Sequence, residues 1–171
     1  MADGTTKLTL PKTWVASNQL TQILQKTPAK YVYKKPSKGG GKPFEYVTVS
    51  YIQKALNYIF GWNWDFEVVQ HGIEGGQVWV LGKLTVRGTK PGEVIVKTQF
   101  GRADLKKKRD TGAYLDFGND LKGASSDALK KCASMLGSAS DIYGKAEYKE
   151  ETSKDPVEGE RVIQTAPTGP E

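Results

Sequence analysis

Lysines and small hydroxyl residues fall into register over the segment 119–137. Lys122, Ser126, Lys130 and Ser134 recur at i, i+4 and so share one face of a helix. Short serine side chains between lysines leave space for a phosphate backbone to approach. The same stripe also reads as a solvated basic face. Asp127 stands four residues before Lys131, the spacing of a helix-stabilising ion pair. Leu121, Ala124, Ala128, Leu129, Cys132 and Leu136 form the apolar face. Cys132 there is a packed thiol rather than a nucleophile.

A second pattern interleaves rings with cations. Tyr31, Tyr33, Phe44 and Tyr46 flank Lys30, Lys34, Lys35, Lys38 and Lys42. Single-stranded nucleic-acid sites combine a positive groove with rings on which bases stack. Tyrosines lining a sheet surface are the alternative. The run Lys106-Lys107-Lys108-Arg109 is a solvated basic loop, a nucleic-acid contact, or a mimic of an import signal.

Most catalytic chemistry lacks its residues. One cysteine and one histidine, Cys132 and His71, allow no intrachain disulfide and no usual Cys/His zinc site. A serine or cysteine triad would rest entirely on His71. Gly39-Gly40-Gly41-Lys42 imitates half a phosphate-binding loop, but Pro43 stands where a magnesium-binding hydroxyl belongs. Gly144-Lys145 is followed by Ala146 and has the wrong spacing. Asp104, Asp110, Asp116 and Asp120 could be imagined as a nuclease metal site, yet acids in loops and at helix starts serve turns and caps. The expectation is a protein that is not an enzyme and uses no cofactor or metal.

Charge is segregated along the chain. The 171 residues carry 25 Lys+Arg against 19 Asp+Glu, net +6. Residues 147–171 hold seven acidic and three basic side chains, net −4; the remaining 22 basic and 12 acidic residues give a body of +10. A basic body with an acidic tail is a layout of nucleic-acid proteins. Residues 1–145 read as the binding domain and 146–171 as an acidic disordered tail, since the tail has little apolar area to bury. No apolar run reaches the roughly 20 residues of a membrane span, and residues 1–12 have no signal core. These features predict a soluble, cytoplasmic protein with no membrane partner.

The elements that must position these residues are mixed. The spacing predicts a helix over 13–26 capped by Thr13, then a weakly alternating strand over 30–35 and a flexible loop over 37–43. A short strand over 44–47 leads to a helix over 48–60, capped by Thr48 or Ser50 and stopped by Gly61. Strand-like runs at 66–69, 78–86 and 94–98 are separated by glycine-containing connections at 72–76 and 88–92, as in an antiparallel meander. The lysine-bearing helix, over 119–136, comes last. The fold class is α+β: an antiparallel β-meander packed with helices, with a β-β-β-α-like core.

In this order the segments resemble the Rad52/22 family, the single-strand annealing proteins of homologous recombination. The resemblance is carried by Gly39-Gly40-Gly41 with Tyr46, by Ile59-Phe60-Gly61-Trp62-Asn63-Trp64, and by the segment from Lys122 to Lys131 with its Ser126-Asp127-Ala128-Leu129-Lys130-Lys131 core. Leu136-Gly137 and Asp141-Ile142-Tyr143-Gly144-Lys145 also fit, so it spans about residues 17–145. It implies a ring-forming protomer with a basic inner groove that holds single-stranded DNA by its phosphates. It also implies annealing of complementary strands without ATP, in recombination or DNA repair. Lys122, Lys130 and Lys131 match family groove cations, and Tyr46 matches a groove tyrosine. Lys35 matches a cation before the glycine loop, with Lys34 or Lys38 as alternatives. Ser134 stands where the family often has arginine. Arg102 and Lys106, Lys107, Lys108 and Arg109 are candidates for an outer DNA path. The compact length resembles a phage or bacterial member, nucleoid-associated, with a host recombinase or single-strand binding protein as further partner. A nucleic-acid binder or recombinase-loading factor without annealing activity is the alternative function.

Overall fold

The computed structural model describes residues 12–37 and 39–144. Lys38, Lys145 and the expected acidic tail lie outside them. The centre is a meander of three eleven-residue strands, β3 (Trp64–Glu74), β4 (Gln77–Arg87) and β5 (Val94–Asp104), in the order β3-β4-β5. All neighbours are antiparallel, and β4 is central. Its alternation explains its place. Val78, Val80, Leu84 and Val86 are fully buried on one face, in register with Gly82.

Helix α3 (Phe117–Ser134) lies across that face. Two glycines let it seat closely. A Cβ at Gly101 would overlap Ala128 N and Ala124 O of the helix backbone, and one at Gly82 would meet the Ala128 methyl at 3.0 Å. Helix α2 (Val49–Phe60) closes the core, placing Ile52, Leu56 and Ile59 with Leu84, Val86, Leu129 and Cys132. The meander followed by α3 gives the expected β-β-β-α arrangement. Before it, β1 (Tyr33–Lys35) and β2 (Phe44–Tyr46) form a separate two-stranded antiparallel sheet. Helix α1 (Ser17–Leu24) and the short α4 (Ser140–Tyr143) complete the described elements.

Several boundaries move for local reasons. The first helix begins at Ser17, not at residue 13. Thr13 Oγ1 instead accepts the Val15 N–H at 3.2 Å in a turn, and the helix start is tied by Ala16 N–H donating to Gln19 Oε1 at 2.9 Å. The expected strand over 30–35 is half helical turn, Ala29–Tyr31, and half β1. The expected loop at 72–76 shrinks to Gly75-Gly76. Both have positive φ, 56° and 77°, so a two-residue turn pairs Glu74 with Gln77 and extends both strands. Helix α3 starts two residues early because Asp116 Oδ1 accepts the Asn119 N–H at 3.0 Å. Of the two caps the sequence offers, Thr48 and not Ser50 caps α2, and Gly61 ends it at φ 59° as expected. No helix of the described residues is long and apolar enough to cross a membrane.

Candidate nucleic-acid interface

The β1–β2 hairpin decides which lysine joins the tyrosines. Its register pairs Tyr33 with Tyr46, Lys34 with Glu45, and Lys35 with Phe44. Side chains alternate across the pleat, so Tyr33, Lys35, Phe44 and Tyr46 share one face. The Tyr33 and Tyr46 rings lie 5.7 Å apart. Lys34 and Glu45 point the other way, into a depression they line with Thr27 and Asp141. Of the described alternatives, the pleat places Lys35 with Tyr46; Lys38 lies outside the described residues. Gly39 and Gly40 take φ of 105° and 77°, a conformation that favours glycine and closes this hairpin.

Helix α3 brings Lys130 to the same place. Its Nζ lies 5.9 Å from the ring centroids of both Tyr46 and Tyr143. An ammonium over ring faces is held by their quadrupoles. Burial pushes Lys130 below the ordinary lysine value; Asp127 opposes that, while Lys131 and Lys35 add repulsion in the same direction as burial. Lys35, Tyr46, Lys130 and Tyr143 therefore form one cluster, a partly desolvated cation with a second cation near it and two rings beneath. Such a pocket of positive potential favours an anion that can neutralise both lysines.

Nothing in the sequence around Tyr143 marks it as a site residue, but the fold brings it there. Its hydroxyl donates to Val47 O at 3.3 Å and accepts from Val47 N–H at 3.2 Å. Burial raises its pKa, with the Val47 hydrogen bond opposing. These bonds clamp α4 to the end of β2 and hold the ring under Lys130. Asp141 anchors the other side of α4 by accepting from Thr27 Oγ1 at 2.7 Å and Thr27 N–H at 3.1 Å.

Lys131 goes elsewhere. Successive helical residues are about 100° apart, so adjacent lysines diverge. The Lys131 ammonium lies 3.1 Å from Asp127 Oδ2, the expected i, i+4 pair. The same oxygen accepts the Arg102 N–H at 3.0 Å, satisfying a donor on the outer edge of β5. The Lys131 ammonium and the Arg102 backbone N–H thus meet at one carboxylate, and both residues line one groove. Lys122 lies two turns earlier on α3, about 12 Å from the level of Lys130 by helical rise, and is exposed.

The basic run forms a third place. Lys106 N–H donates to Asp120 Oδ2 at 3.0 Å, and its ammonium lies 3.9 Å from the other oxygen of that buried carboxylate. Lys107 sits over the Tyr114 ring at 5.6 Å and bridges Tyr114 in antiparallel fashion. Lys108 and Arg109 are left exposed at the turn. The aspartates imagined as metal ligands are dispersed in structural work: Asp116 caps α3, Asp120 holds Lys106, and Asp104 accepts from Gln77 Nε2 at 2.8 Å.

A family model described as Rad52/22 family double-strand break repair protein matches residues 16–161 of the chain. No curated protein matches it.

Proposed function

The chain belongs to the Rad52/22 family of double-strand break repair proteins, and from that premise we propose that it binds single-stranded DNA on a basic surface of an oligomeric ring and anneals complementary strands without ATP. The observation that carries this reading is the convergence of Lys35 and Tyr46 of the β1–β2 hairpin with Lys130 of α3, far away in sequence. Two complementary strands repel through their phosphates. A row of cations offsets that repulsion and releases counterions. Phosphate contacts position a strand without reading its sequence, which suits a protein that must anneal any pair. Base pairing supplies the free energy, so annealing needs neither nucleotide hydrolysis nor a general base.

Lys122 and Lys130 extend the track along α3, Lys35 adds to it from the hairpin, and Lys131 turns instead toward Asp127 and the β5 side. A closed ring of head-to-tail protomers would join these short tracks into one path and multiply weak contacts. Arg102 and the Lys106–Arg109 loop are assigned to a second path across the N-terminal end of α3 and the β5 edge. The test mixes complementary fluorescent oligonucleotides with the full chain, with and without ATP and magnesium, and sizes the products. Faster pairing in every condition with intact strands supports the reading. Binding without acceleration would leave a single-strand binder or recombinase-loading factor, and magnesium-dependent shortening of the strands would make it a nuclease.

A further inference from the structure

Beyond the phosphate track, we propose that the groove over the outer edge of β5, between Trp79, Phe100, Arg102 and Lys131, is a stacking site for the bases of single-stranded nucleic acid. This rests on the single-strand binding proposed above and adds a base-contacting site to it. The face of the meander opposite α3 carries Trp79 and Leu81 of β4, which pair directly with Arg102 and Phe100 of β5. Phe100 is 54% exposed there, among the most exposed of the large apolar side chains in the meander. The groove measures about 590 Å³.

Its rings are held in place from below. Gly72 pairs with Trp79 across β3 and β4, and a Cβ there would come within 2.6 Å of the indole. The missing side chain lets the indole lie over the β3 backbone. Phe100 meets that indole edge-to-face, with centroids 5.9 Å apart and planes at 69°. A T-shaped contact fixes one ring without covering its open face. Exposed and fixed, Phe100 presents a π-surface that would otherwise be left in water.

The polar groups give the groove a direction. The Lys131 ammonium pairs with Asp127, whose carboxylate also accepts the Arg102 backbone N–H, and the Arg102 side chain lines the same groove, while Glu74 lines it from the β3–β4 hairpin. A phosphate is drawn to the cationic rim and repelled from Glu74. A nucleotide would then set its phosphate toward Arg102 and Lys131 and its base over Phe100. The amide of Gln77, held between the Arg102 guanidinium (3.4 Å) and Asp104 (2.8 Å), keeps the arginine head beside the rings. Rings beside a positive rim are the pairing that single-stranded nucleic-acid sites use.

The experiment compares two strands of equal length and charge: oligothymidylate and an abasic oligodeoxynucleotide. Equilibrium binding is measured for the full chain and for the Phe100→Leu and Phe100→Tyr variants, with circular dichroism and assembly mass checked for each. Leucine keeps apolar bulk but removes the π-face. The expected result is that Phe100→Leu binds oligothymidylate at least about fivefold more weakly, that its abasic binding is unchanged, and that Phe100→Tyr behaves as the parent chain. Equal losses on both strands, or none, would overturn the stacking site while leaving phosphate binding intact. A change in assembly mass with unaltered affinity per chain would overturn it too, making this face a contact between copies. If the parent chain binds neither strand, single-strand binding itself fails, and the stacking site with it.

Discussion

Lys130 and Lys131 are neighbours in sequence and occupy opposite electrostatic situations. Lys130 is half-buried over two tyrosine rings, has Lys35 nearby, and is pushed toward neutrality by burial. Lys131 lies against Asp127 on the β5 side, where it shares that carboxylate with the Arg102 N–H. The first holds charge that is underneutralised and available to a phosphate. The second has part of its charge answered within the protein. Adjacent cations on one helix are therefore not equivalent contributors. What each offers a ligand depends on the strand beneath it rather than on its place in the stripe.

The largest way to break this contrast is to unseat the helix that creates it. Gly101→Ala forces a Cβ into the α3 backbone. A loss of about 3 kcal/mol of stability is expected, at the upper end for overpacking. Urea denaturation should show it, with single-strand binding failing at both lysines together. Next, single substitutions should separate the two. Lys130→Ala should weaken single-strand binding on the order of tenfold or more, the scale of a lost charge-assisted contact. Lys131→Ala should cost distinctly less, because Asp127 already answers part of the Lys131 charge in the free protein. Fluorescence anisotropy on one oligonucleotide would rank them.

A pH titration sharpens the same point. Because the folded chain holds Lys130 below its ordinary value, the free protein loses that proton first as pH rises. A bound phosphate restores it, so affinity should fall with rising pH sooner than for an ordinary lysine. Lys130→Arg, charged throughout, should flatten the profile. The sign for folding is opposite: the unfolded chain binds more protons between the depressed value and the ordinary one. This lysine's contribution to stability thus becomes more favourable as pH rises through that window. The smallest effect is expected from Asp127→Asn. It keeps an acceptor for Arg102 N–H and removes one negative charge beside two lysines. Binding should tighten a few-fold, with stability shifted by less than about 1 kcal/mol.

Local signals on the sequence located most of the elements and some of the residues that the structure brings together in the candidate site. Thr48, Gly61 and the apolar spacing of Ile52, Leu56 and Ile59 define α2 without any tertiary information. The lysine stripe of α3 and its core-facing Cys132 follow from helical geometry alone. What the stripe could not reveal is where adjacent lysines lead, since that depends on β2 lying beside one and β5 beside the other. The resemblance favours Lys35 with Lys34 or Lys38 as alternatives, and only the hairpin register puts Lys35 and Lys34 on opposite faces. Tyr143 acts through four-residue α4, too short to show a period. Trp79 and Phe100 read as ordinary strand residues, because the openness of their face is a property of the whole meander.

The central claim is that Lys35 and Lys130 act together as phosphate contacts. The direct measurement is the slope of log affinity for oligothymidylate against log salt concentration, for the parent chain and for a Lys35→Ala, Lys130→Ala double variant. Each single-strand phosphate contact contributes about 0.7 to that slope. A double variant whose slope is shallower by about 1.4 agrees with two phosphate contacts at this cluster. A slope equal to that of the parent chain contradicts it, and would mean that the strand passes elsewhere.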